Sequence, residues 1–199
     1  MKIVHYPHPA LRHVAKPLSA IDADVRRYAG QMLELMYAAK GLGLAAPQVA
    51  LPYQLLVLNY SGDPNRKEDE CVAINPVLIE KKGGTQDGSE GCLSFPDLYQ
   101  NVRRAKTVVV RAYDLDGRLF EVTASDLGAR LWQHEIDHLH GILYIDKMGL
   151  LGKRAARPYL EEFETRYRRA QQRGEIPSDE EIERTLLELE KAPIVGPLL

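Results

Sequence analysis

The segment His134-Glu135-Ile136-Asp137-His138 restricts this 199-residue chain more than any other. Its two histidines stand four residues apart. On an α-helix such positions share one face, with Cβ atoms about 6 Å apart, so both imidazoles reach one metal ion. Glu135 then lies beside the ion's open position, where a carboxylate can work on a water molecule. The plain alternative is a pair of histidines on a helix surface. The pattern arises by chance in well under about one percent of chains this long, which favours the metal reading. A catalytic site of the zinc type takes three protein ligands and keeps one position open. The fold must therefore bring a third ligand to this helix from elsewhere.

Three sources for that ligand are considered. In the spacing HExxHxxGxxH a third histidine follows on the same segment. Gly141 fits it, but Tyr144 stands where the histidine should be. A downstream glutamate is the second source. Glu161, Glu162 and Glu164 are available, yet they sit in a charged helix and read as solvated surface. The third is Cys92, in Glu90-Gly91-Cys92-Leu93-Ser94, where the glycine lets backbone approach a ligand closely. A thiolate with two imidazoles suits Zn²⁺, Fe²⁺, Ni²⁺ or Co²⁺. A lone cysteine is otherwise most often a small buried hydrophobe, and that reading is given to Cys71.

Composition excludes several classes. Apolar residues make up 45% and charged residues 27%, so the chain builds a core and is not disordered as a whole. The formal charge is −2, from 26 basic and 28 acidic residues, which argues against a DNA binder driven by bulk charge. Two cysteines make no disulfide framework, so reduced, cytoplasmic chemistry is expected. No apolar run approaches the roughly 18–20 residues of a membrane span. The first residues, MKIVHYPHPALRH, lack the apolar stretch of a signal peptide, so no membrane association is expected.

Pro7, Pro9 and Pro17 mark residues 6–17 as an extended arm. Val25, Ala29, Met32, Met36 and their neighbours follow helical spacing, with Asp22 or Asp24 as the cap and Gly41 as the stop. Residues 41–48 read as a small-residue turn and 54–59 as a buried strand. A strand bent at Asn75-Pro76 is expected over 71–82, and Leu115-Asp116-Gly117 marks a hairpin between 106–114 and 118–123. Ser125 opens the next helix and Gly141 closes it. In the tail, residues 153–173 hold seven basic against three acidic residues. Residues 175–191 reverse this, with seven acidic and two basic, and Ser178 with Glu181 forms a capping box. The reading is an α+β core to about residue 150, then a helical extension over 151–199.

Three segments together resemble peptide deformylase. They are Gly41-Leu42-Gly43-Leu44-Ala45-Ala46-Pro47-Gln48, Glu90-Gly91-Cys92-Leu93-Ser94 and Gln133-His134-Glu135-Ile136-Asp137-His138-Leu139. They match the family patterns GxGxAAxQ, EGCLS and QHExDHL in the family's order. The resemblance implies mixed, mainly antiparallel sheets packed around a central HExxH helix. It implies a hydrolase that removes the N-formyl group from the initiator methionine of new polypeptides and releases formate. It implies Cys92, His134 and His138 as ligands of one divalent ion, usually Fe²⁺, with Zn²⁺, Ni²⁺ or Co²⁺ as substitutes. Glu135 becomes the general acid and base, Gln48 and the Leu93 N–H face the developing oxyanion, and Glu90 pairs with Arg104. Arg103 stands where many members have proline.

The methionine side chain needs an apolar pocket. Leu42, Leu44 and Leu127 are expected as walls beside Gly43, and Leu131 is within reach. Trp132 reads as core, and His5, His8, His13 and His140 suggest no site. The basic segment 153–173 is weighed as a ribosome contact against a solvated helix that the acidic segment neutralises in cis. Two further readings stand against the deformylase: an endopeptidase using a downstream glutamate, and a non-catalytic metal-stabilised module whose tail binds a partner. Intact Glu135 and Gln48 argue against the module, because a structural site needs neither.

Overall fold

The computed structural model describes residues 1–191. Four helices, α1 (Ala23–Ala38), α2 (Asp126–Leu139), α3 (Leu150–Gln172) and α4 (Asp179–Lys191), pack with five strands. The strands are β1 (Gly43–Ala45), β2 (Leu55–Asn59), β3 (Glu70–Cys92), β4 (Phe95–Tyr113) and β5 (Leu119–Ser125). They join in the order β1-β2-β3-β4-β5, each pair antiparallel. This is the expected α+β class, with the described strands in one hydrogen-bonded sheet.

β2 explains why LLVLN is apolar without alternation. Successive strand residues face opposite sides, and both sides of β2 are covered. Leu55 and Val57 pack with Val25, Ala29, Met32 and Met36 of α1. Leu56 and Leu58 pack with Ala129, Trp132, Ile136 and Leu139 of α2. A third cluster joins Phe95, Tyr144 and Met148 to Leu11 of the arm and Ala156 of α3. No helix among the described residues is long and apolar enough to cross a membrane.

The strand bend falls where expected. Asn75 has φ +50 and exchanges two 2.8 Å hydrogen bonds between its amide and the Leu18 backbone. Beyond it β3 continues to Cys92, ten residues past the expected end. Register shifts at Ile74/Val77, Leu78/Glu80, Lys82/Thr85 and Glu90/Cys92 bend the long β3–β4 ribbon. The segment 83–105 is polar and glycine-containing, so it gave no strand signal.

The helix ends divide. Asp22 caps α1 through the Val25 N–H at 2.9 Å. Its left-handed terminal residue is Lys40, φ +56, and not Gly41. Gly41 is glycine because a Cβ there would lie 2.7 Å from Leu93. Gly141 does close α2, with φ +68 and the paired bonds Gly141 N–H to His138 O and Ile142 N–H to Asp137 O. Ser125 occupies the N-cap of α2, but its hydroxyl faces Thr107 and caps nothing. Residues 43–45 are a strand rather than a turn.

The extension folds back on the core. Phe163 of α3 meets Phe95 edge-on at 6.1 Å, while Ile182 and Leu186 of α4 bury Ala10. Ser178 and Glu181 form the expected capping box. His13 Nε2 lies 2.6 Å from Glu190, and Tyr53 donates to Leu189 O at 2.8 Å. His8 accepts from the Ala10 N–H and meets Tyr167 edge-on at 6.2 Å. Burial holds the His8 imidazole down at about 4, against 6.5 in an unfolded chain. The neutral ring therefore contributes stability that is complete above pH 6.5 and is lost as pH falls towards 4. Urea unfolding of the parent and of His8→Gln should show the parent losing more stability across that window. A His8 ring signal titrating near 6.5 by NMR would contradict this.

Candidate active site

The hairpin between β3 and β4 turns through only Leu93 and Ser94, with Cys92 paired to Phe95. This tip carries Cys92 to the face of α2 that presents His134 and His138. The ligand atoms of the three side chains all lie within 4.8 Å of one another, and Cys92 Sγ is 3.3 Å from His138 Nε2. His134 Nδ1 is committed to Glu90 at 3.0 Å, which leaves its Nε2 free. Ligand bonds of about 2.3 Å from sulfur and about 2.0–2.1 Å from nitrogen are compatible with such separations. The donor set and its spacing therefore fit one divalent ion. Two buried atoms without a partner also belong to this site, Glu135 Oε2 and His138 Nδ1.

Glu90 is 5% exposed and fully engaged. Arg104 donates to both its oxygens at 2.8 and 2.9 Å, and Arg130 to Oε1 at 2.7 Å. Burial opposes its ionisation, but hydrogen bonds from Arg104 and His134 hold the carboxyl well below the usual range. Arg104 also bonds Asp137, which Lys147 approaches at 3.5 Å. The expected Glu90–Arg104 pair is thus part of a network that also takes in Arg130, His134, Asp137 and Lys147. Arg130 and Asp137 were missed. Arg130 sits four residues before His134, the spacing that puts both on one helix face, so the signal was present. Arg103 makes an exposed bridge to Asp87 at 2.8 Å.

Glu135 is 3% exposed, and burial pushes its carboxyl up to about 7. Gly43 makes room for it, since a Cβ there would lie 2.6 Å from Glu135 Oε1. Gln48 Oε1 accepts from the Ala45 N–H at 2.8 Å, which fixes the amide's orientation. Its Nε2 then points at Cys92 Sγ, 3.4 Å, and Ser94 Oγ, 3.3 Å. A cavity of about 530 Å³ opens on this group. Leu42, Gly43, Leu93, Leu127 and Leu131 line it, with His5, Tyr99 and Arg130. Leu44 does not. It is wholly buried under α1, because the strand alternation of β1 turns it to the other side. Glu161 and Glu162 pair with Arg157 and Arg166 at the surface, and Glu164 accepts from Tyr6. None of the three reaches the triad.

Known proteins resemble this chain in sequence and fold. The pattern of the family described as Polypeptide deformylase matches residues 1–154. A peptide deformylase of Rhodopirellula baltica is 43% identical over 180 residues, covering 90% of this chain and 88% of its own. The crystal structure of peptide deformylase 1B from Arabidopsis thaliana, in complex with an inhibitor, superposes with a TM-score of 0.82 at 38% identity. That match covers 89% of this chain and 96% of the plant chain. The peptide deformylase of Plasmodium falciparum gives a TM-score of 0.81 at 36% identity, over 84% and 97% of the two chains.

The Glu90 network yields a stability prediction. Glu90→Gln removes the charge that two buried guanidiniums share, and breaking a buried pair costs about 3–5 kcal/mol. Denaturant titration should show a loss of that order. A change within about 0.5 kcal/mol, the usual span of a surface substitution, would refute the network's role.

Proposed function

The chain belongs to the polypeptide deformylase family and is a hydrolase of the N-formyl group of new polypeptides, and we propose the following residue roles. Cys92, His134 and His138 hold one divalent ion, Fe²⁺ natively, with Zn²⁺, Ni²⁺ or Co²⁺ able to replace it. One observation carries this reading: the ligand atoms of Cys92, His134 and His138 lie within 4.8 Å of one another, beside a cavity that Cys92, His134, Glu135 and Gln48 line.

The ion, when bound, supplies Lewis acidity, lowering the pKa of water and polarising the formyl carbonyl. Glu135 takes the proton from water on Oε2, the buried oxygen without a protein partner. A buried carboxyl beside the open position can accept that proton and return it to the leaving amine. The Gln48 amide and the Leu93 N–H donate to the oxygen that gains charge as the formyl carbon becomes tetrahedral. One such donor lowers the barrier by about 3 kcal/mol. A glutamine does this without adding net charge beside Cys92. Leu42, Leu127 and Leu131 receive the methionine side chain, with Gly43 allowing close approach. Formate and a free N-terminus leave.

Residues 1–150 form the catalytic unit and 151–199 the extension, of which 192–199 lie outside the described residues. Both cysteines are free, which suits the reducing cytoplasm. The extension also offers a ribosome contact. Four of the seven cations in 153–173 are paired in cis, Arg157, Arg166, Arg168 and Arg173. Lys153 and Arg154 have no ion pair among the described residues, and they follow Leu150 and Leu151, 88% and 84% exposed. That end of α3 is the surface for ribosomal RNA.

Two predictions follow from these assignments. Glu135→Gln should keep the metal and lose about 10²–10⁴-fold in kcat for formate release from formyl-Met-Ala-Ser, whereas Cys92→Ser should lose metal by elemental analysis. Metal content unchanged in Cys92→Ser would sink the ligand assignment, and no formate from the Fe²⁺ or Ni²⁺ protein would sink the reaction. Lys153→Glu/Arg154→Glu should abolish co-sedimentation with ribosomes. Equal pelleting of parent and variant would end the ribosome reading.

A further inference from the structure

The cavity over Glu135 does not end at the ligands. Its wall includes Ile3, His5 and Pro96, and these three residues also line a second cleft of about 620 Å³. That cleft runs between the N-terminal arm and the C-terminal half of α3. Phe163 and Tyr167 supply apolar surface on its helix side, and Ile176 and Pro177 lie at the α3–α4 junction. Its charged lining is one-sided: Lys2, Arg166, Arg169 and Arg173, with no carboxylate. Arg166 and Arg173 are partly offset by Glu162 and Glu175 outside the lining. Lys2 and Arg169 have no ion pair among the described residues and are exposed.

The arm that separates the two spaces has unused hydrogen-bonding capacity. The Val4 N–H donates to Gln48 O at 2.8 Å and the Tyr6 N–H to Ser94 O at 3.0 Å. Alternate donors of the arm are thus tied to the backbone of Gln48 and Ser94. The intervening N–H groups of Ile3 and His5 have no partner among the described residues. An extended chain lying beside the arm can use donors of this kind, as a peptide does at a free strand edge.

We propose that the cleft between the N-terminal arm and α3 binds the downstream part of the substrate polypeptide and prefers acidic side chains there. This rests on the deformylase reading. A formylated N-terminus in the first cavity belongs to a chain that must leave it, and the shared residues Ile3, His5 and Pro96 provide a continuous way out. Once past them the chain meets four cations and an apolar floor. Complementary charge at such a distance from the chemistry acts on capture, so its effect falls on KM and weakens with salt.

The test uses the metal-loaded full chain and three substrates at low ionic strength. One is formyl-Met-Ala-Ser. The others extend it by Gly-Ser and four glutamates, or by Gly-Ser and four lysines. Each kcat/KM is taken relative to the tripeptide. The acidic peptide should exceed the basic one by about tenfold, through KM, and the ratio should shrink in salt above about 0.5 M, where screening is strong. In Lys2→Glu/Arg169→Glu the ratio should fall to about one or invert. A ratio near one in the parent overturns the proposal, as does a ratio the double variant leaves unchanged. So does a parent that shows no peptide preference but is inhibited by a short RNA, which would make the cleft a nucleic-acid site. No formate from the tripeptide would overturn the deformylase reading itself, and this proposal with it. Formate from the tripeptide with equal rates for the two longer peptides overturns this proposal alone.

Discussion

Burying a carboxylate costs several kcal/mol unless its lone pairs are filled, and Glu90 has them filled by Arg104, Arg130 and His134. Those donors come from different places. Arg104 is on β4, Arg130 and His134 are on α2, and Glu90 itself is on β3, two residues before Cys92. One buried charge therefore fixes the hairpin tip against the helix. It also sets the ring of His134, whose Nδ1 it engages so that Nε2 faces the cysteine. A histidine ligand held in this way has one tautomer and one orientation. Arg104 and Arg130 face Glu90 and Asp137, with Lys147 beside Asp137.

Close approach is the second constraint, and it accounts for the alternation in Gly41-Leu42-Gly43. Gly41 lies against Leu93 of the hairpin tip and Gly43 against Glu135 of α2. A side chain at Gly41 would meet the Leu93 side chain, and one at Gly43 would meet the Glu135 carboxyl. Leu42 precedes β1, whereas Leu44 lies within it and faces α1. Leu42 reaches the cavity and Leu44 the α1 core. The motif reads as a loop signature, yet its glycines are present because three elements converge on one short strand.

What could be read from residues was what has a short period or a fixed chemistry. The helix that carries both His134 and His138, the Asp22 cap, the Asn75 bend and the Gly141 stop each follow from a few neighbouring residues. The ribbon over 83–105 did not, because its polar, glycine-containing sequence is held by pairing between distant segments rather than by local preference. Leu44 was misplaced for a related reason. Adjacency to a motif does not say which face of a strand a side chain takes until the strand itself is recognised. Arg130 was legible in principle, since its offset of four from His134 is the spacing that identified His138. An arginine raised no question of ligation, and its role appears only once Glu90 is seen between the two.

The extension changes how the charge pattern of the tail should be understood. A basic segment followed by an acidic one suggests two helices that neutralise each other, but one ion pair, Arg168 with Asp179, does this between them. The other ion pairs of α3 are local, within it or across its last turn, and exposed, so they contribute little. What holds the extension is shared largely with the arm: Phe163 on Phe95, Tyr167 against His8 and Ile182 with Leu186 over Ala10, joined by the polar contacts of Tyr6 with Glu164 and His13 with Glu190. Phe95 follows the hairpin tip directly and stacks on Tyr6 at 5.1 Å, so the same ring supports the ligand-bearing turn and receives α3. The arm is thus gripped from both sides, by the motif segments through its backbone and by the extension through its side chains. Removing the extension would delete the basic segment, and it would also uncover the apolar side of Phe95 and of the arm.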